Sequence, residues 1–409
     1  MHRSSLASKV LVVCWVAVAT TATRNAAATR AAFVYVNANP DDAANAIAAL
    51  HLAADGRTSS VVGSPFATGG LGLAPVSGAE AAHRIVVAPS RNLLFATNDG
   101  SGSISAFAVD PLSGVLTVAP GSPYSFRPWA GFSGISLAVS NDGRFLYASG
   151  ATLLSFAIAT DGSLSELGSE WSFVERIGGI GVTGDNSQVF VSTASGVYIL
   201  QSGETGLTAD PPNFLSIGSE ATDLRLDAPG TRLWVGTKNG GILGYSLVGG
   251  APTIAPGAPF FSAVSGLSGL SADLYGRTLF AFSATPARLL GAHTNSDSSL
   301  TLGASSPLVP VLPPTSAALT PDGTLLVTTD AQSELDAWTT DDSGSLTHAT
   351  GFPLATNAAP GFPSVATFPD KAPTPAPAGP LWLTLALAAA LFLAATARLT
   401  APERVAAGD

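Results

Sequence analysis

An all-β ring of seven four-stranded blades is the fold this sequence predicts. Three observations carry it: one pattern of short alternating strands recurs through the chain, its copies are spaced about 47 residues apart, and two half-units at the ends of the array complete one another.

Composition sets the outer limits. Of 409 residues, 46% are hydrophobic and only 11% are charged, against about 25% charged in a typical soluble domain. That excludes an acidic disordered chain and a charge-laced coiled coil. Lys plus Arg is 18 and Asp plus Glu is 28, a net charge of −10. Such a chain has no basic face for a phosphate backbone, so nucleic acid is excluded as a partner.

The first residues, MHRSSLASK, carry Arg3 and Lys9 and lead into the apolar run Val10 to Ala19, followed by small residues. A basic start, a short apolar stretch and an alanine-rich exit predict a signal peptide over residues 1–32, cleaved somewhere between about 22 and 32. The apolar run is shorter than the roughly 20 residues a membrane crossing needs. Cys14, the sole cysteine, lies inside it. The exported chain is then left without a disulfide, a thiol nucleophile or a thiolate metal ligand.

Residues 33–370 hold the repeats. One unit reads apolar strand, Asn/Asp-Gly turn, apolar strand, third strand, Gly/Ser turn and short fourth strand; its clearest copy runs from Ile135 to Ser169. Other copies begin at Arg84, Gly179, Asp223, Gly269 and Ser316. The first-turn positions are Pro89, Asn141, Gly184, Ala228, Leu274, Pro321 and Pro369. Asn141-Asp142-Gly143 and Pro321-Asp322-Gly323 suit the tight turn between the first two strands, and Asp161-Gly162-Ser163 and Ser343-Gly344-Ser345 the one between the last two. FVYVNAN (Phe33 to Asn39) matches a second strand without a first, and PSVATFPD (Pro363 to Asp370) a first strand without a successor. Pairing them in one blade closes the ring and removes its open edges.

Fourth strands are followed by GSPF (Gly63 to Phe66), GSPY (Gly121 to Tyr124), GAPF (Gly257 to Phe260), SSPL (Ser305 to Leu308) and GFPL (Gly351 to Leu354). With the FVYVNAN opening and the DGRFLYAS-type cores, this resembles the seven-bladed lactonase-like and YVTN-repeat propellers over essentially all of residues 33–370. The resemblance implies a propeller and, by the activities described in that family, hydrolysis or formation of lactones. It carries no catalytic motif that transfers residue by residue.

In a propeller the first strands line the central channel, and the loops from each fourth strand to the next first strand surround one mouth. Those loops are residues 66–84, 120–134, 169–178, 212–222, 257–268, 305–315 and 352–363. Their few ionisable side chains supply the candidate site residues. Glu80, His83 and Glu175 are the candidate acid–base groups. Arg84, Arg127, Trp129, Arg176 and Glu220 are the candidate ligand-binding groups, with Arg127 beside Trp129 suited to a planar or anionic ligand. No G-x-S-x-G elbow, P-loop or dinucleotide fingerprint is present, and the histidines have no ligand spacing. No metal and no cofactor is therefore expected.

Residues 371–380 form a proline-rich linker and residues 381–397 an uncharged apolar run, with Arg398 and Arg404 behind it. The layout predicts a stalk, a transmembrane helix and a short basic-flanked tail over 398–409 on the inner side. Between the ends, residues 33–370 carry 11 Lys plus Arg and 26 Asp plus Glu, so the exported domain is acidic. The reading is an exported, cell-surface or membrane-anchored propeller. It binds a small molecule, sugar or surface protein through its channel mouth; the alternative is a lactonase acting on a sugar or related lactone.

Overall fold

The computed structural model describes residues 31–53, 57–73, 83–125, 135–149, 152–173, 175, 177–248 and 251–370. The expected leader up to residue 30, the proline-rich linker and the apolar run at 381–397 lie outside the described residues. Among the described residues no helix is long and apolar enough to cross a membrane.

Seven antiparallel sheets are present, each an ordered meander from an inner to an outer strand. Blade 3 shows the plan: Ser136–Val139, Phe145–Ser149, Thr152–Ile158 and Leu164–Ser172. Blade 4 begins at Ile177–Val182, blade 5 at Ala221–Leu226, blade 6 at Gly269–Ala272, blade 7 at Ser316–Leu319 and blade 2 at Ile85–Ala88. Each of these first strands contacts the first strands of both neighbours, and the circuit closes through Ser364–Pro369. They therefore surround a common axis.

Blade 1 is assembled from both ends of the propeller, as expected from the half-units. Ala32–Asn37 pairs antiparallel with Ser364–Pro369, placing Phe33 opposite Phe368 and Val36 opposite Val365. The apolar residues of the second and third strands are buried because every blade is covered by neighbours on both faces. One apolar cluster fills each of the seven seams between adjacent blades. The largest wholly buried side chains, Trp234, Tyr35, Tyr147 and Phe190 among them, sit in or beside these seams.

The turn chemistry works as the sequence implies. Asp322 accepts hydrogen bonds from the Thr324 N–H (3.1 Å) and from the Thr320 and Thr324 hydroxyls (2.7 and 2.8 Å). Asp161 and Asp341 hold Ser163 and Ser343 in the same way in the outer turns. Gly143 and Gly323 follow the aspartates at φ of 71° and 70°, where a side chain would be strained.

The recurring Ser-Pro segments do more than end the blades. They divide the outermost strand in blades 1 and 2, where Thr58–Ser60 and Phe66–Leu71, and likewise Leu116–Val118 and Tyr124–Ser125, pair with the same third strand. At the break the serine hydroxyl stands in for the missing strand carbonyl. Ser64, Ser122 and Ser306 accept from the N–H groups of Ala49 (2.8 Å), Ala106 (2.9 Å) and Gly291 (2.8 Å).

Candidate functional site

First strands of four to six residues leave a space along the axis that their side chains do not fill. This channel holds a cavity of about 590 Å3, within the roughly 300–1,000 Å3 range of small-molecule sites. Its wall is mostly hydrocarbon, from residues such as Val87, Leu137, Ile180, Leu226, Ala318 and Val365. One end is bordered by first-turn residues, including Pro89, Tyr275, Asp322 and Pro369. Leu274 and Tyr275 on that lip are 61% and 62% exposed, so the cavity opens on the face of the first turns. That is the end opposite to the connecting loops from which the sequence reading drew its candidates.

The inner end is made by His83 and Arg225. His83 precedes the first strand of blade 2, yet its ring crosses the axis to blade 5. Nε2 lies 3.0 and 2.9 Å from the two carboxylate oxygens of Asp223. Arg225 Nη2 lies 2.5 Å from Nδ1 and 2.6 Å from Nε2 of the same ring. Asp223 and Arg225 are two residues apart in one strand and therefore project to the same side. The N–H groups of Leu224 and Leu270 each donate to Asp223 at 2.8 Å, and Arg225 Nε donates to the Leu270 carbonyl at 3.0 Å.

Blade 4 makes room for this cluster by having no side chain there. A Cβ on Gly179 would stand 2.1 Å from Asp223 Oδ1 and 2.7 Å from the Leu224 nitrogen. The strand also shifts register between Ile177 and Ile180, where Gly178 and Gly179 lie.

Electrostatics fixes the protonation states. Burial, and after it the Arg225 charge, pushes the His83 pKa below its ordinary 6.5, so the ring is neutral at pH 7. Burial acts to raise Asp223, but its interactions with His83, Arg225 and the Leu270 N–H outweigh that and leave its pKa lowered. Burial lowers Arg225 against the opposing pull of Asp223, and a guanidinium keeps its proton in such a site. A neutral ring has one donor and one acceptor nitrogen. The Asp223 carboxylate on Nε2 calls for the proton there, which leaves Nδ1 as the acceptor nitrogen, with the Arg225 guanidinium against the ring. The result is an oriented imidazole with a guanidinium beside it at the end of a cavity, a pairing that suits proton transfer and stabilisation of a developing oxyanion.

The other candidates fall elsewhere. Glu80, Arg127, Trp129 and Arg176 lie outside the described residues. Arg84 turns away from its neighbour His83 and is 4% exposed, with Nε 2.7 Å from Asp99 Oδ2. Glu175 is on the rim, accepting from the N–H and hydroxyl of Ser195, both at 2.8 Å. Burial works against these bonds, but together they lower the Glu175 pKa. Glu220 pairs with Lys238 at 2.9 Å beside a separate depression of about 160 Å3 shared by blades 4, 5 and 6. Of the sequence candidates among the described residues, the cavity gathers His83 alone.

Asp223 and Arg225 are not among the sequence candidates because they lie in a first strand, Ala221–Leu226, and not in a connecting loop. The signal was present: DLRLD places two opposite charges at alternate positions of an innermost strand, where IVVA, SLAV and SAAL carry none. Among the described residues no group of three or more His, Cys, Asp or Glu side chains is arranged to hold a metal ion.

No known family profile matches the chain, and no curated protein matches it either. Solved structures do. A proposed 6-phosphogluconolactonase from Bacteroides fragilis superposes with a TM-score of 0.67 at 14% identity, covering 83% of this chain and 98% of the other. A second from Bacteroides uniformis gives 0.64 at 14% identity, with 83% and 99% covered. The periplasmic gluconolactonase PpgL of Pseudomonas aeruginosa gives 0.62 at 18% identity, again with 83% and 99% covered. The chain therefore has the fold of lactonase-like seven-bladed propellers. At these identities the likeness extends to the fold and no further.

Proposed function

We propose that the protein is an exported, membrane-tethered propeller that binds a small molecule in its channel. The ligand enters at the face of the first turns and ends against His83 and Arg225. The observation that carries this reading is the channel cavity of about 590 Å3, which opens on the face of the first turns and has the buried His83 imidazole and the half-buried Arg225 guanidinium side by side in its lining. Export and tethering rest on the basic-apolar start and on the proline-rich stalk before the apolar run at 381–397.

A second reading, lactone hydrolysis, is favoured by one specific feature. His83 is held by Asp223 and flanked by Arg225 at the same cavity, which is the geometry a base and an oxyanion-stabilising cation need. The gluconolactonase name of the Pseudomonas neighbour points the same way.

Calorimetric titration of the purified protein with a panel of lactones, run beside a hydrolysis assay, separates the two. Saturable binding without turnover supports the binding module. Turnover that falls roughly a hundredfold or more in His83→Gln establishes the hydrolase. Neither binding nor turnover, from protein shown to be folded, removes the channel as the functional site.

A further inference from the structure

We infer that the channel selects a neutral molecule with a hydrocarbon body and one carbonyl at its end, an alkyl-substituted lactone rather than a sugar lactone or a free carboxylate. The inference rests on the channel being the ligand site, as proposed above.

The wall is more hydrocarbon than polar, and several of its polar side chains are already engaged with one another. Around the cavity, Thr320 Oγ1 is bound to Asp322 (2.7 Å) and Thr367 Oγ1 donates to the Leu319 carbonyl. Asp273 is committed to the N–H of Thr278 (3.0 Å) and to Arg277 Nε (3.0 Å). The remainder is mostly aliphatic side chain. A sugar lactone placed here would exchange water for hydrocarbon at several hydroxyls, each costing roughly tenfold in affinity when left unpaired. A hydrocarbon body instead gains about three- to fourfold for every methylene taken out of water.

The charge at the inner end sets the polar group. Asp223 and Arg225 balance one another around a neutral His83. Arg225 spends its donors on Leu270, Leu224 and His83, and the five N–H bonds of a guanidinium leave some for a ligand. A carbonyl oxygen accepts one without disturbing that balance. A carboxylate would bring an uncompensated charge beside Asp223 and would first pass Asp322 at the entrance, where Asp273 is already paired with Arg277. The exposed Leu274 and Tyr275 on the lip, with Arg277 lying 5.6 Å over the Tyr275 ring, extend the apolar path outward.

The test is calorimetric titration of the full chain in detergent with δ-decalactone, δ-hexalactone, decanoate and glucono-δ-lactone. δ-Decalactone is expected to bind roughly a hundredfold tighter than δ-hexalactone, from four methylenes, and tighter than decanoate or glucono-δ-lactone. Ala318→Phe, which fills the wall and leaves the His83 cluster intact, should abolish the decalactone signal. Arg225→Lys should weaken decalactone and leave the dependence on chain length unchanged. Glucono-δ-lactone or decanoate binding more tightly than decalactone, in a manner blocked by Ala318→Phe, overturns the inference while the channel remains the site. Binding of any of the four that is indifferent to Ala318→Phe, or binding of none, overturns the channel reading itself and the inference with it.

Discussion

His83 and Arg84 are adjacent in sequence and serve two buried charge clusters that differ in one respect. Arg84 meets Asp99 at 2.7 Å, with the two side chains 4% and 1% exposed. Amides pack around them: Asn39 donates to Asp99 at 3.1 Å, Asn37 to the Arg84 carbonyl at 3.2 Å and Asn45 to Asn98 at 3.0 Å. This cluster ties blade 1 to blade 2. His83 meets Asp223 at 2.9 Å with side chains 9% and 1% exposed, nearly the same burial, but it ties blade 2 to blade 5 across the channel and borders a cavity. Burial and pairing therefore do not distinguish a structural cluster from a candidate site. Access to a space that a ligand can fill does.

The largest expected effect tests that distinction directly. Asp99→Ala leaves the Arg84 guanidinium buried without its counter-charge and should cost about 3–5 kcal/mol of stability. Asp223→Ala should cost less, about 1–3 kcal/mol, because Arg225 borders a cavity that water can enter. Denaturant melts of the two variants beside the wild type measure both. Equal losses would break the comparison.

A smaller effect comes from geometry alone. Gly179→Ala removes no charge and no hydrogen bond, yet its Cβ would press on Asp223 Oδ1 and the Leu224 nitrogen. Overpacking of this kind should cost about 1–3 kcal/mol. It should also displace His83, so the His83 imidazole resonances should shift by NMR. Unchanged His83 resonances would mean that the cluster does not depend on the empty space at blade 4.

The same contrast explains what the sequence reveals. The fold was legible because a ring of blades repeats its local rules: alternating strands, Asp-Gly turns and the split blade are each written within a few residues. The Ser-Pro segments were visible as a motif, but not as breaks in the outer strand. That role depends on which N–H a serine meets fifteen or sixteen positions earlier, as Ser64 meets Ala49 and Ser122 meets Ala106. The site was only half legible. His83 stood out as an imidazole in a charge-poor chain, but its partners lie 140 and 142 residues away. No local period encodes a contact made across the axis, and only the unusual charges in the innermost strand of blade 5 hinted at it.

The smallest expected effect is a pH dependence confined to one of the two clusters. His83 is faced by Asp223 and Arg225, and burial, the Arg225 charge and the more weakly acting charge of Arg84 lower its pKa below 6.5. The unfolded chain, with an ordinary imidazole, takes up a proton before the folded one does. Stability therefore rises with pH wherever the unfolded state holds more protons. The contribution of neutral His83 is complete above about pH 6.5 and is lost as pH falls from there toward the lowered folded value. Asp223, also lowered, contributes in the same direction, but only as pH falls through the region below 3.8. The informative quantity is the difference between wild type and His83→Gln. Melts at half-unit steps from pH 8 to 4.5 should show a wild-type decline beginning near pH 6.5 and a shallower one in His83→Gln. No histidine belongs to the Arg84 cluster, so Asp99→Ala should keep the wild-type slope in this range while sitting lower at every pH. Identical slopes in wild type and His83→Gln would show that the ring is not held neutral at the end of the channel. His83 would then take up a proton as readily as in the unfolded chain, and below about pH 6.5 the charge balance that favours a neutral ligand would be lost.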